Sequence, residues 1–196
     1  MISAPVITPS DPEYEKIIHD NMISALKKSG IKKMYIKADS PLGHDVYNLF
    51  EADKGAYLYG PPGTGKTYAA SCAVRIAVEN GIKAYITSVK ALLDEIKAEY
   101  DSNAHSVIKM AVNYDLLALD DLGMERPTEW AMETIEGIID ERVADCKPTI
   151  ITSNYNFAEL RNRWGGIHGA RLISRLRGSC VPYEVNGPDR RLNPAY

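Results

Sequence analysis

The chain has 196 residues, of which 45% are apolar and 25% charged, a composition that suits one folded domain and argues against disorder. It contains no run of 18 or more apolar residues and no apolar signal core near its start, so we expect a cytoplasmic protein that does not enter a membrane. The net charge of −3 excludes a general polyanion binder, although residues 157–196 carry a net charge of +4.

The predicted elements alternate between helices and short apolar strands. A first helix is expected from residue 12 to about residue 28, with Ser10 or Asp11 as its cap and Gly30 as its stop, and residues 31–55 are polar and mixed. Strands are expected over 56–59, 83–87, 115–119, 148–152 and 181–185, and further helices over 66–79, 88–100, 104–112, 127–145, 157–164 and 170–177. This alternation predicts an α/β fold in which helices cover both faces of a parallel sheet.

The three cysteines, Cys72, Cys146 and Cys180, lie far apart, and none belongs to a Cys-x-x-Cys pair. This spacing argues against a zinc site and against a disulfide framework. We therefore expect all three to be buried, reduced thiols.

One segment matches the phosphate-loop pattern G-x-x-x-x-G-K-[S/T] in full. It consists of Gly60, Pro61, Pro62, Gly63, Thr64, Gly65, Lys66 and Thr67, between a predicted strand and a predicted helix. The glycines let successive backbone N–H groups point at phosphate oxygens, and the helix adds its positive N-terminal end. Lys66 is expected to reach the β- and γ-phosphates and Thr67 to bind Mg²⁺. The adjoining Tyr68 is also expected to contact the nucleotide. The expected cofactors are ATP or ADP with Mg²⁺.

Two adjacent carboxylates, Asp120 and Asp121, end an apolar strand 54 residues after Lys66. Because the carboxyl ends of parallel strands gather at one edge of a sheet, this pair is expected beside the phosphate loop. Asp120 would hold Mg²⁺, directly or through water, and Asp121 would orient or deprotonate the attacking water. The alternative is a simple turn, since Asp-Asp-Leu-Gly is also good turn chemistry.

Further polar candidates lie in the C-terminal part of the chain. Asn154 follows the fourth predicted strand and would bind the attacking water and the γ-phosphate, or else open a turn. Arg171 and Arg175 are four residues apart and share one helix face, and no other feature of the sequence accounts for them. Such an arginine can stabilise a phosphoryl group bound by a neighbouring subunit; the alternatives are an exposed basic face or ion pairs within the chain. Arg190 and Arg191 are candidates for a second nucleotide contact or for DNA.

Together these motifs resemble those of the AAA+ ATPases, and in particular the DnaC/IstB branch. The resemblance rests on segments 57–67, 119–123, 127–131, 148–154, 171–176 and 187–191, and it covers about residues 50–192. It implies a P-loop NTPase (AAA+) core, with a parallel five-stranded sheet of order 5-1-4-3-2. As a departure from larger AAA+ proteins, we expect no C-terminal lid domain, because the chain leaves no room for one.

The resemblance also implies a role for each candidate. It makes Lys66 and Thr67 the Walker A residues, Asp120 and Asp121 the Walker B residues, Asn154 sensor 1, Arg175 the arginine finger with Arg171 beside it, and Arg190 or Arg191 the sensor 2 arginine. Many AAA+ proteins carry Glu where this chain has Asp121. The shorter side chain predicts slower activation of water.

The implied function is that of a slow ATPase, stimulated by assembly or DNA, which loads a hexameric replicative helicase onto single-stranded DNA. Its copies would pack head to tail in a ring or spiral. Residues 51–196 would form the ATPase core, and residues 1–50 an N-terminal helical segment available for a partner. The alternatives are an IstB-like transposition helper, a nucleotide-gated adaptor with little turnover, and a small-molecule P-loop kinase.

Overall fold

The computed structural model of the chain describes residues 12–99 and 106–192. Five short strands form one parallel sheet, namely β1 (Gly55–Tyr59), β2 (Ala84–Ser88), β3 (Leu116–Leu122), β4 (Thr149–Ser153) and β5 (Cys180–Glu184). The strand order is β2-β3-β4-β1-β5, which confirms the predicted order 5-1-4-3-2 read from the other edge. The phosphate loop thus leaves a strand, β1, that has a neighbour on both sides.

Eight α-helices surround the sheet in the described part of the chain. They are α1 (Pro12–Lys28), α2 (Pro41–Phe50), α3 (Lys66–Glu79), α4 (Val89–Glu99), α5 (Ser106–Asn113), α6 (Glu129–Ala144), α7 (Phe157–Trp164) and α8 (Gly166–Ser179). The predicted cap of α1 at residues 10 and 11, and the predicted helix ends at residues 100 and 104, lie outside the described residues. None of the described helices is both long and apolar enough to cross a membrane.

Alternate residues of the central strands enter two separate apolar clusters. Leu116 and Ala118 belong to the cluster formed with α1, α2 and α3, whereas Leu117 and Leu119 belong to the cluster formed with α4 to α8. A strand that is buried on both faces must be apolar at every position, which explains the continuous apolar runs. The predicted α/β architecture with helices on both faces is confirmed.

The helix α2 was not predicted, because residues 31–55 looked polar and mixed. It starts with a recognisable signal, since Ser40 is the N-cap, its hydroxyl accepts a hydrogen bond from Gly43 N, and Pro41 follows it. Gly43 is required by packing, because a Cβ atom there would lie 2.5 Å from Cys72 Cβ. A glycine that lets two helices approach closely looks, in the sequence, like a helix breaker.

The N-terminal segment packs directly on the sheet and on α3. Leu26, Ile31 and Val46 are buried in the same apolar cluster as the strands β1 and β3. The backbone of Ser29 also accepts a hydrogen bond of 2.8 Å from Ile86 N in the edge strand β2. The proposed boundary between residues 50 and 51 stays a prediction, and the described part of 1–50 shares a core with the rest.

The cysteine prediction is correct for two of the three residues. Cys72 and Cys180 are buried, but Cys146 is exposed in the turn that follows α6, where it has a φ of 52°. The expectation that all three are buried is wrong for Cys146, because the turn directs this residue away from the core.

Thiol reactivity should reflect this difference. Burial raises the pKa of the Cys180 thiol to about 11 and also raises the pKa of Cys72, so both should react slowly. With a colorimetric disulfide reagent, we expect one fast thiol in the native protein and three after unfolding in denaturant. The fast phase should be absent from Cys146→Ser, and a fast-reacting thiol in that variant would contradict the structure.

Candidate active site

The phosphate loop connects β1 to α3 and bends at glycines with positive φ. Gly60, Gly63 and Gly65 have φ angles of 139°, 79° and 102°, a region that residues with a side chain rarely adopt. At Gly63 a Cβ atom would also lie 1.9 Å from Asp189 Oδ1, and Gly63 O accepts a 3.0 Å hydrogen bond from Arg190 N. The loop therefore has a tightly curled backbone, against which the chain that follows β5 packs.

The ammonium group of Lys66 lies inside this loop. It donates hydrogen bonds to Gly60 O at 2.8 Å and to Pro61 O at 2.7 Å. Burial lowers the pKa of Lys66, and the negative charges of Asp121 and Asp120 oppose this shift. The structure thus brings the lysine of the loop and both predicted carboxylates into one electrostatic site.

Asp120 is buried and held by two threonine hydroxyls. Thr152 Oγ1 donates to Asp120 Oδ1 at 2.6 Å, and Thr67 Oγ1 donates to the same oxygen at 2.9 Å. Burial raises the pKa of Asp120, while these two hydrogen bonds act in the opposite direction. Thr67 and Asp120, predicted from separate motifs, are therefore in direct contact.

This pair fits a magnesium ion. A hydroxyl and a carboxylate 2.9 Å apart are hard oxygen donors, and the carboxylate carries a desolvation penalty that a cation would relieve. Thr67 and Asp120 are thus the residues that would hold Mg²⁺, which when bound neutralises charge on the phosphates.

Asp121 differs from Asp120 in exposure and in backbone conformation. It has a φ of 60°, and the pairing of β3 with β4 is interrupted between Leu119 and Leu122. Aspartate tolerates this left-handed conformation better than most residues, and Asp121 N donates to Thr152 Oγ1 at 2.9 Å. The irregularity exposes the side chain of Asp121 while that of Asp120 stays buried, so the two adjacent carboxylates lie in different environments.

Asn154 lies at the same edge of the sheet. Ser153 pairs with Tyr59, so Asn154 directly follows the last β4 residue paired with β1, beside the start of the phosphate loop. Its side-chain amide is 3.5 Å from Met124 Sδ. The position agrees with the predicted one, and its role as a sensor stays a prediction.

The C-terminal arginines are divided between two places. Arg190 and Arg191 lie near the phosphate loop. A Cβ atom built on Gly65 would be 3.4 Å from Arg190 Nη1, and the positive charge of Arg191 contributes to lowering the pKa of Lys66. Arg171 and Arg175 instead form ion pairs with carboxylates of α6. The expectation that no feature of the chain accounts for these two arginines is therefore wrong; ion pairs within the chain were the stated alternative.

Tyr68, in the first turn of α3, contacts the N-terminal segment. Its hydroxyl accepts a 3.0 Å hydrogen bond from Asp39 N, and its ring meets that of Tyr35 edge-on, with the centroids 6.0 Å apart. These contacts connect α3 to the residues that precede α2. The assignment of Tyr68 to the nucleotide stays a prediction.

Sequence reasoning missed three residues of this site. Thr152 and Asp189 belonged to segments that carry the resemblance but were given no role of their own, and Lys32 was not considered. Lys32, Thr67 and Asp120 line the same cavity of about 170 Å³. The positive charge of Lys32 acts to lower the pKa of Asp120, against the effect of burial. A threonine in an otherwise apolar strand was the available signal for Thr152; the other two depend on how distant segments pack.

Comparison with known protein families agrees with these motifs. The model of the IstB-like ATP binding protein family matches residues 47–194. The chain belongs to this family. The match confirms the resemblance to DnaC/IstB-type AAA+ ATPases, and the family it names is one of ATP-binding proteins.

Named relatives of this IstB-like chain include helicase loaders. The replicative helicase loader DnaI of Bacillus subtilis is 28% identical over 155 residues, which is 74% of this chain and 50% of that protein. The replicative helicase loader DnaC of Buchnera aphidicola (subspecies Baizongia pistaciae) is 27% identical over 78% of this chain and 68% of its own length. The chain thus spans about half the length of the Bacillus relative.

Solved structures of the IstB-like chain's relatives show the same fold. A crystal structure of the DnaC helicase loader has a TM-score of 0.67 at 26% identity and is matched over 79% of this chain and 100% of that one. A crystal structure of DnaI has a TM-score of 0.71 at 25% identity, over 82% and 94% of the two chains.

Proposed function

We propose that this protein binds and hydrolyses ATP and uses the nucleotide to load a hexameric replicative helicase onto DNA. The observation that carries the ATPase part is the contact of Thr67 and Thr152 with the buried Asp120, next to a complete phosphate loop. The helicase part is supported by the named relatives, which are replicative helicase loaders.

Each residue then has a defined task. Lys66 binds the β- and γ-phosphates, and Asp121, exposed beside the buried Asp120, orients or deprotonates the attacking water. Asn154 binds the same water and the γ-phosphate, and Arg191 makes a second nucleotide contact. Lys66, Asp121 and Asn154 lie at the carboxyl edge of the sheet, and Arg191 lies in the segment that follows β5.

The remaining charge on the γ-phosphate is met by a neighbouring copy. Among the described residues, the side-chain polar contacts of Arg171 and Arg175 are with α6 carboxylates and none is with the phosphate loop of the same chain. We infer that Arg175, with Arg171 beside it, acts on the ATP of the next subunit in a head-to-tail ring or spiral.

The partner-binding role is assigned to residues 1–50 and the ATPase role to residues 51–196. In the described part of the first segment, Ile18 and Met34 are exposed apolar residues, with 50% and 74% of their surface accessible. Single-stranded DNA is the second macromolecular ligand, and the site of action is the cytoplasm.

Binding of purified partners tests this function. The protein should retain the purified replicative helicase hexamer when ATP is present, and should increase its assembly on closed circular single-stranded DNA. Lys66→Ala should lose both effects, because the ammonium that binds the phosphates is absent. Helicase capture that is unchanged without nucleotide and in Lys66→Ala would contradict ATP-dependent loading.

A transposition helper is the second candidate, because the matching family is named after IstB. The same experiment with a purified transposase and duplex DNA separates the two, since a helper should retain the transposase and not the helicase. A nucleotide-gated adaptor would bind its partner yet show no multiple-turnover phosphate release, with or without single-stranded DNA.

A further inference from the structure

The helices α6 and α8 face each other through a row in which basic side chains alternate with carboxylates. Glu136 and Asp140 lie four residues apart on α6, and His168, Arg171 and Arg175 follow one face of α8. We call these five residues the α6–α8 charge row. Its order in space is His168, Glu136, Arg171, Asp140 and Arg175, because each neighbouring pair is in contact.

The inner part of the row is centred on the buried carboxylate of Glu136. The side chain of Glu136 is only 6% exposed; its two oxygens lie 2.8 Å from His168 Nδ1 and 2.8 Å from Arg171 Nε. His168 Nδ1 lies within hydrogen-bond distance of Oε2, whereas the contact of Arg171 Nε with Oε1 is an ion pair without hydrogen-bond geometry. Arg171 is therefore bound to α6 at the inner end of the row.

The outer part of the row holds Arg175 by one nitrogen only. Arg175 Nε donates to Asp140 Oδ1 at 2.7 Å, while Asp140 Oδ2 is 3.9 Å from Arg171 Nη2. Within the described residues, neither Nη atom of Arg175 has a hydrogen-bond or ion-pair partner, and the side chain is 52% exposed. Four N–H groups of the guanidinium are thus left for an external ligand.

This geometry suits recognition of a phosphate from outside the chain. A guanidinium binds phosphate oxygens best with two parallel N–H groups, and its long side chain otherwise samples many rotamers. The Asp140 carboxylate at Nε restricts those rotamers and leaves both Nη atoms of Arg175 available for two parallel hydrogen bonds. Such preorganisation raises the rate of a reaction only if the arginine points at the reacting group.

We propose that Asp140 is a positioning residue that orients Arg175 toward the ATP of a neighbouring copy of this chain. The inference rests on the proposed function, since it requires Arg175 to act between subunits. Through Asp140, the helix α6 then has a part in hydrolysis, although it holds no phosphate-binding motif.

Asp140→Ala should reveal this role in steady-state phosphate release. We expect kcat of the assembled protein to fall about 10-fold or more, with KM for ATP and the thermal midpoint nearly unchanged. Glu79→Gln is the matched control, because Glu79 pairs with Arg75 at 2.6 Å on α3 and has a similarly exposed side chain. An unchanged or increased kcat in Asp140→Ala would overturn the proposal, and an increase would mean that Asp140 restrains Arg175.

Mixed assemblies separate positioning from a local folding effect. Arg175→Ala keeps an intact ATP site, and Asp121→Asn keeps Arg175 but should not hydrolyse ATP. Mixing the two should raise turnover at least about 10-fold above that of either alone, because Arg175 of one variant completes the site of the other. When the double variant Asp121→Asn with Asp140→Ala is mixed with Arg175→Ala instead, the restored turnover should be about 10-fold lower than with Asp121→Asn alone.

The two failures are distinguishable. If adding Asp121→Asn does not restore turnover to Arg175→Ala, Arg175 does not act on the ATP of a neighbouring copy. The head-to-tail assembly in the proposed function is then contradicted as well. If the single and the double donor restore turnover equally, Arg175 acts between subunits, but Asp140 does not position it.

Discussion

Asp120→Asn is expected to lower Mg²⁺-dependent ATP hydrolysis by about 1,000-fold or more while leaving the nucleotide-free protein at least as stable. The amide oxygen of asparagine can still accept the hydrogen bonds of Thr67 and Thr152, so the local packing is kept. What is lost is the negative charge that would hold the metal ion beside the phosphates. Since burial disfavours the charged form of Asp120, a neutral amide should not destabilise the fold.

Two measurements check this opposite behaviour of activity and stability. Phosphate release gives the turnover, and thermal unfolding without nucleotide gives the stability. Thr152→Val is the matched control, because it removes a donor to Asp120 and the acceptor for Asp121 N while keeping side-chain volume, and it should lose stability. Turnover within about 10-fold of the native value in Asp120→Asn would show that Asp120 does not hold the metal.

Arg142→Met is expected to lower the free energy of unfolding by about 3–5 kcal/mol. The side chain of Arg142 is fully buried, and burial lowers its pKa to about 10, so it remains charged at neutral pH. It donates hydrogen bonds to Ala111 O, Val112 O, Tyr114 O, Pro148 O and Thr149 Oγ1 at 2.6 to 3.1 Å. Methionine fills much of the space but donates no hydrogen bond, so that Val112 O keeps only its bond from Lys147 Nζ and the buried Ala111 O and Pro148 O lose theirs from the arginine.

Urea unfolding followed by circular dichroism measures this loss. Arg126→Met is the control, because Arg126 is exposed and its replacement should change the free energy by no more than about 0.5 kcal/mol. A loss below about 1 kcal/mol in Arg142→Met would mean that water reaches these carbonyls in the variant and replaces the arginine. The arginine connects the end of α5 to the start of β4, so the loss should appear as global unfolding.

Local patterns were sufficient for most of the fold. The alternation of apolar strands and helices predicted all five strands, and the motif order predicted which strand carries the phosphate loop and which the carboxylates. The helix α2 was not predicted, because its Ser40-Pro41 start was hidden by Gly43 in its first turn. That glycine serves a contact with Cys72, which lies 29 positions further along the chain and has no local signature.

The sequence by itself determined the chemistry of the nucleotide site, because the phosphate loop and the paired carboxylates depend on neighbouring residues and on the direction of parallel strands. Only the tertiary structure decided which side chains support that chemistry. Thr152 meets Asp120 through the register of β4 with β3, and Asp189 meets Gly63 because the chain after β5 returns to the loop. The pairing of Arg175 with Asp140 depends on how α6 packs on α8, which no short pattern encodes.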